Sequence, residues 1–192
     1  MTITWGAALR PKLGQHVSGD AYLVLPYDTD QVLVSVIDGL GGGDAAADAA
    51  RRAVTVLERH PNLDLNDLMQ RADRALAGSR GAVMALLRID DRNRTAEFVG
   101  VGNIGVHVYS NLVIKPISKN GIVGYRLPQL LRLTYTYNSG DIFVLYSDGI
   151  TSRFVTEPPP DLRQPPQQIA EEILTRFGKE NDDATVVVVR CE

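Results

Sequence analysis

Two periods alternate in the apolar positions along the chain. At 20–26 and 31–37 ("DAYLVLP" and "QVLVSVI") β-branched and aromatic residues dominate, and "YDTD" between them reads as a turn. This predicts an antiparallel hairpin. The spacing then turns helical: Ala46, Ala50, Ala53, Val54 and Leu57 share one face of a helix over 44–60, stopped by Pro61. A second helix is expected from Asp64 or Asn66, with Leu65, Leu68, Met69, Ala72 and Leu76 as its stripe and Gly78 as its C-terminal cap. From residue 81 strand-like runs return: "GAVMALLRI", "TAEFVG", "GVHVYS", "LVIKP", "LLRLTYTY" and "DIFVLYS". Their links are short and turn-like, which leaves no room for helical crossovers and makes the pairing mainly antiparallel. A proline-rich loop over 156–166 leads into a helix at about 166–177, and the final "TVVVV" is apolar enough for burial on both faces. The whole predicts an α+β fold, a four-layer αββα sandwich of two antiparallel β-sheets flanked by helices, as one domain over 1–192.

Charge and composition narrow the function. Twenty Lys and Arg against 23 Asp and Glu leave a net charge of −3, which argues against a nucleic-acid partner. No apolar run approaches the roughly 20 residues of a membrane span, and "MTITWGAALRPK" lacks the order of a secretory signal. The single cysteine, Cys191, excludes a disulfide scaffold and fits a cytoplasmic location.

The candidate chemistry lies in acids at strand ends. Asp38 follows "VLVSVI" and precedes Gly39; Asp148 follows "DIFVLYS" and precedes Gly149. Asp182 and Asp183 precede the final strand, and Asp20 opens the first hairpin strand. Strand ends on one side of a stacked sandwich converge on one cleft, where carboxylates repel one another unless a cation neutralises them. Oxygen donors with few histidines and no paired cysteines select Mg²⁺ or Mn²⁺ over zinc. A residue without a side chain after Asp38 lets a backbone carbonyl join the carboxylate, and Gly41–Gly43 permit a tight entry into the helix. Plainer readings compete. Asp-Gly after a strand is a common hairpin turn, and Asp182-Asp183 also reads as a polar turn. Residues 41–46 ("GGGDAA") satisfy the G-x-G-x-x-A of a dinucleotide loop. That loop needs a second parallel strand within about 30 residues, whereas a second helix follows here. The joint placement of the acids favours the metal cleft.

"SGDAYLV" at 18–24, "VIDGLGGGDAA" at 36–46, "VGVGNIGVHVY" at 99–109, "YSDGI" at 146–150 and "NDDATVVVV" at 181–189 occur in one order across almost the whole chain. In these pieces the sequence resembles the PPM family of metal-dependent Ser/Thr protein phosphatases. The resemblance is strongest to the short bacterial branch that includes SpoIIE, RsbU and RsbX. Small size and "GIVGYRLP" at 121–128 bring it nearest the RsbX-like stress-signalling group. The resemblance implies that Asp38 bridges two ions, Mn²⁺ or Mg²⁺, with the Gly39 carbonyl completing the first. It implies that Asp148 and Asp182 hold the second and that Asp20 stands beside the pair. Asp38 and Asp148 are the implied catalytic residues. The implied reaction is attack of a metal-activated water on phosphoserine or phosphothreonine, and the implied substrates are phosphorylated STAS-domain proteins of a stressosome.

The departures from the family pattern are specific. "LGQHVSGD" at 13–20 holds no arginine where larger relatives bind phosphate. Leu40 replaces a histidine after Asp-Gly, and Asn103 stands where an aspartate serves a third metal. The stretch between Lys115 and Leu130 is too short for a flap subdomain, and Asp183 takes the place of an asparagine. Two metals rather than three are therefore expected, with a metal-bound water or His16 as the proton donor. His107 is expected to face water from a strand, and His60 to close a helix. The alternative reading is a catalytically inactive regulator that keeps the PPM fold and binds a partner.

Overall fold

In the computed structural model, which describes residues 3–192, the chain runs β1 (Ile3–Arg10), β2 (Asp20–Asp28), β3 (Gln31–Gly39), α1 (Gly43–Arg59), α2 (Leu65–Leu76), β4 (Ala82–Asp90) and β5 (Thr95–Val101). It continues with β6 (Gly105–Tyr109), β7 (Leu133–Thr136), β8 (Ile142–Tyr146), a 3₁₀ turn (Ser152–Val155), α3 (Pro166–Phe177) and β9 (Ala184–Cys191). One sheet has the order β1-β9-β8-β6 and the other β2-β3-β4-β5-β7, with every neighbouring pair antiparallel.

Three apolar layers hold this arrangement. Val34, Val36, Leu87 and Phe98 of one sheet meet Phe143, Leu145, Val187 and Val189 of the other. On the outer face of the larger sheet, Leu33, Ile37, Met84 and Leu86 pack on Ala53, Leu57, Leu68 and Met69 of the α1–α2 pair. On the outer face of the smaller sheet, Val144, Val186 and Val188 pack on Ile169, Ile173 and Phe177 of α3 and on Phe154. Both faces of the central strands are therefore covered, which is why β3 and β9 read as continuous apolar runs instead of alternating ones. Within β3, alternate residues still part company: Val32, Val34 and Val36 face the other sheet, while Leu33 and Ile37 face the helices. Helix α2 starts at Asp64, whose carboxylate accepts from the Asn66 N–H at 2.8 Å.

The predicted hairpin, the three helices and the sandwich agree with this structure, and four details differ. Strand β1 escapes the hydrophobic pattern, yet it pairs along its whole length with β9, from Ile3 opposite Cys191 to Arg10 opposite Ala184. The run "LVIKP" is not a strand. It lies in the irregular segment 110–132, which must carry the chain from β6 in one sheet to β7 in the other. There Val113 is exposed and Ile114 plugs into the inter-sheet core. The run "LLRLTYTY" contributes only Leu133–Thr136 to its sheet. Gly78, at φ 78°, follows the residue that closes α2, Ala77. Among the described residues no helix is long and apolar enough to cross a membrane.

The contact of α3 with β1 depends on a missing side chain. A Cβ on Gly6 would overlap the backbone of Pro166 and Gln167, and the Gln167 side chain also bonds both the N–H and the carbonyl of Ala7 at 3.0 Å. Gly6→Ala is expected to push the helix outward and to destabilise the protein by about 1–3 kcal/mol. Urea unfolding followed by circular dichroism measures this; an unchanged midpoint would show that the helix moves aside freely.

Candidate functional site

The register of β2 on β3 sets Asp20 directly opposite Asp38 at one end of the larger sheet. In the smaller sheet, Tyr146 at the end of β8 pairs with Val186 near the start of β9, so Ser147-Asp148 and Asp182-Asp183 leave from that same end. The Ser147 side chain bonds the two sheets to each other there. The Ser147 N–H donates to the Thr185 carbonyl, and the Ser147 oxygen accepts from the Thr185 N–H, each at 3.0 Å. The Ser147 hydroxyl then donates across the sandwich to Asp20 Oδ2 at 2.6 Å.

Neither Asp-Gly pair turns a hairpin. Gly39 closes β3, and a Cβ on it would overlap the Ala46 carbonyl of α1. A Cβ on Gly149 would overlap the Asp183 carbonyl. In both cases backbone from another element runs where a side chain would stand, which is what draws the acids together.

Electrostatics report the crowding. The Asp38 carboxyl is pushed up to about 8, first by burial and then by Asp20, Asp148, Asp182 and Asp183. Burial also raises Asp20 to about 6, against the hydrogen bond from Ser147 that favours its charged form. Asp182 is raised by burial and by Asp148. In the conformation described, the carboxylates turn to protein donors. Asn103 Nδ2 donates to Asp148 Oδ2 at 2.8 Å, and the Asp183 N–H donates to Asp182 Oδ1 at 3.0 Å. Among the described residues, no three His, Cys, Asp or Glu side chains converge as a finished set of metal ligands. The donors available at this end are nonetheless all hard oxygens: Asp20, Asp38, the Gly39 carbonyl, Asp148 and Asp182. Mutually repelling carboxylates of this kind fit Mg²⁺ or Mn²⁺ and do not fit a softer ion.

Asp183 plays a different part from its neighbours. Its Oδ1 accepts the Lys12 N–H and its Oδ2 the Gly19 N–H, both at 2.8 Å. Both oxygens thus hold the main chain of the segment 11–19 that leads into Asp20. Neither Ser147 nor Asp183 could be assigned these partners from the sequence, because a hydroxyl or a second acid beside a conspicuous one carries no pattern of its own.

The histidines lie outside this cluster of acids or on its border. His16 is exposed on the segment 11–19, and His60 closes α1 as expected. His107 faces water only in part: it is half-buried, its ring meeting Tyr109 at 4.5 Å and Phe154 at 6.2 Å. Cys191 is buried at the far end of β9. A cavity of about 790 Å³ lined by His107, Tyr109, Asp141, Ile142, Arg163 and Arg190 opens at the opposite end of β8 from Asp148 and belongs to no part of this site.

Comparison with known proteins gives the chain its relatives. The family model described as Stage II sporulation protein E (SpoIIE) matches residues 28–192. The phosphoserine phosphatase RsbX of Bacillus subtilis is 24% identical over 185 residues, which cover 92% of this chain and 89% of RsbX. A chain solved in a study of "The bacterial stressosome: a modular system that has been adapted to control secondary messenger signaling" is 34% identical. The match covers 99% of this chain and 100% of that one, with a TM-score of 0.91. RsbX crystallised in complex with magnesium is 22% identical and has the same fold, with a TM-score of 0.85 over 99% of this chain and 96% of that one.

Two outcomes follow from the geometry. Asp183→Ala leaves two N–H groups without acceptors, so stability near pH 5 should fall by about 1–3 kcal/mol. Amide exchange at Lys12 and Gly19 should accelerate, and unchanged exchange there would show that the segment is held by other means. The second concerns pH. Asp20 and Asp38 titrate above the ordinary value of 3.8, so between about pH 4 and pH 8 the folded protein binds protons more tightly than the unfolded chain. Their contribution to stability is full below about pH 4 and is lost as pH rises through 6 for Asp20 and 8 for Asp38. With chelator present, the melting temperature should therefore drop from about pH 5 to pH 8, and Asp38→Asn should flatten the drop. A wild-type-like slope in that variant would place the repulsion elsewhere.

Proposed function

The chain belongs to the SpoIIE family of PPM-type phosphatase domains, and on that premise we propose that it is a serine/threonine protein phosphatase of bacterial stress signalling. In this reading one phosphatase domain spans residues 1–192, works in the cytoplasm and removes phosphate from phosphorylated STAS-domain proteins of a stressosome. The observation that carries the reading is the gathering of Asp20, Asp38, Asp148 and Asp182 from two sheets at one end of the sandwich, with Asp38 raised to about 8. The 34% identity to a chain from the stressosome study supports the setting, and the likeness to RsbX supports phosphoserine as the group acted on.

Asp20, Asp38, the Gly39 carbonyl, Asp148 and Asp182 would hold two divalent ions, Mg²⁺ or Mn²⁺. Bound ions of this kind activate water for attack on phosphorus and neutralise charge on the phosphoryl oxygens. The protein's own part is positional. Ser147 fixes Asp20 through its hydroxyl, and Asn103 orients Asp148 through its amide. Asp183 anchors the segment that delivers Asp20. Leu40 has no proton to give, so the leaving seryl oxygen takes its proton from water.

The test is phosphate release from a phosphoserine STAS protein by the purified full chain. Turnover should require Mg²⁺ or Mn²⁺ and stop in excess chelator. Asp38→Asn should lower kcat by more than the roughly 10–100-fold typical of a residue that only supports a metal ligand, with the circular dichroism spectrum unchanged. Full activity in chelator would overturn the reading.

A further inference from the structure

A site built from carboxylates repels a phosphate dianion as it attracts cations, so holding a phosphorylated substrate in register calls for a protein cation at its rim. Four basic residues lie on the segments that border the acids: Arg10, Lys12, Lys179 and Arg80. Two are already engaged. Lys179 Nζ donates to the Asp148 carbonyl at 2.6 Å, and Arg10 Nη2 donates to the Lys179 carbonyl at 2.9 Å. Lys12 is tied through its main chain to Asp183 and offers only a single ammonium on an exposed stem.

Arg80 differs from these in placement and in freedom. Gly39 pairs with Ala82, and the Leu40 N–H donates to the Gly81 carbonyl at 3.0 Å, so Arg80 is the next residue along a ladder that runs on from Asp38. Its side chain lies on the loop that follows Asp38. A Cβ on Gly41 would stand 2.9 Å from Arg80 Nη1, 3.7 Å from Cζ and 3.9 Å from Cδ. Gly41 sits at φ +94°, where a side chain is disfavoured in any case. Among the described residues the Arg80 guanidinium has no hydrogen-bond or ion-pair partner, in contrast to Arg88, Arg132, Arg153 and Arg176, each of which meets a carboxylate. An exposed arginine laid on bare backbone three residues past Asp38, with its planar fork of donors unspent, suits two parallel bonds to phosphoryl oxygens.

The geometry points to Arg80 as the side chain that binds and orients the phosphoryl group of the substrate, with Gly41 kept bare to seat the guanidinium. This rests on the phosphatase reading above. It also supplies from the α2–β4 link the cation that is missing from 13–20, the stretch where the family pattern would place one.

Kinetics of Arg80→Ala and Arg80→Lys with a phosphoserine peptide, together with inhibition by inorganic phosphate, test the assignment. Arg80→Ala should raise KM for the peptide and the inhibition constant for phosphate in parallel, by about 10–100-fold, the range expected for charged hydrogen bonds. Arg80→Lys should fall between, because it keeps the charge and loses the fork. Mg²⁺ affinity measured by calorimetry should not change, since Arg80 holds no metal ligand. Wild-type KM and phosphate inhibition in Arg80→Ala would overturn the inference while leaving the phosphatase reading intact. If the wild-type chain has no turnover, that reading fails, and calorimetric binding of inorganic phosphate in the presence of Mg²⁺ still decides the role of Arg80: equal binding by wild type and Arg80→Ala overturns it.

Discussion

Bringing carboxylates from two separate sheets within reach of one another is unfavourable at neutral pH, and the rest of the fold has to hold them there. It does so through register. Asp20 and Asp38 are cross-strand partners in one sheet, and the junctions after β8 and before β9 are neighbours in the other. Three apolar layers fix the sheets against each other, and Ser147 bonds them where the like charges meet. The repulsion left over at Asp38 is the free energy available to whatever cation settles among these oxygens.

Much of this was legible in the sequence, for a physical reason. Strands covered on both faces must be apolar at nearly every position, so β3 and β9 announce themselves, and an acid at the end of such a run stands out against it. Strand β1 announces nothing. Trp5 and Leu9 are partly exposed, and its place depends on the ladder with β9 and on close approach at Gly6. "LVIKP" misleads in the opposite sense, because its apolar residues pin a crossing segment and do not fill a pleat. Alternation points His107 at solvent, and the Tyr109 and Phe154 rings cover part of it there.

The parts of the site that no pattern reveals are those supplied by neighbours in space. Ser147 matters because β8 ends beside Thr185 and across from Asp20. Asp183 matters because the segment 11–19 passes over it. Arg80 matters because β3 and β4 continue their pairing beyond Asp38. That cation does not precede the first acid along the chain; it comes from the link between α2 and β4.

The segment 110–132 belongs to neither sheet and is pinned at a few points, among them Val123 against Ala82, Lys119 against Val101 and the Gly124 N–H on Asp73. Between those pins its length can change without shifting the register of any ladder, and the entropic cost of a longer loop grows only slowly with its length. Inheritance is thus free to lengthen or trim this connection and so reshape the surroundings of the cleft, while the spacing of the acids stays locked by the sheets.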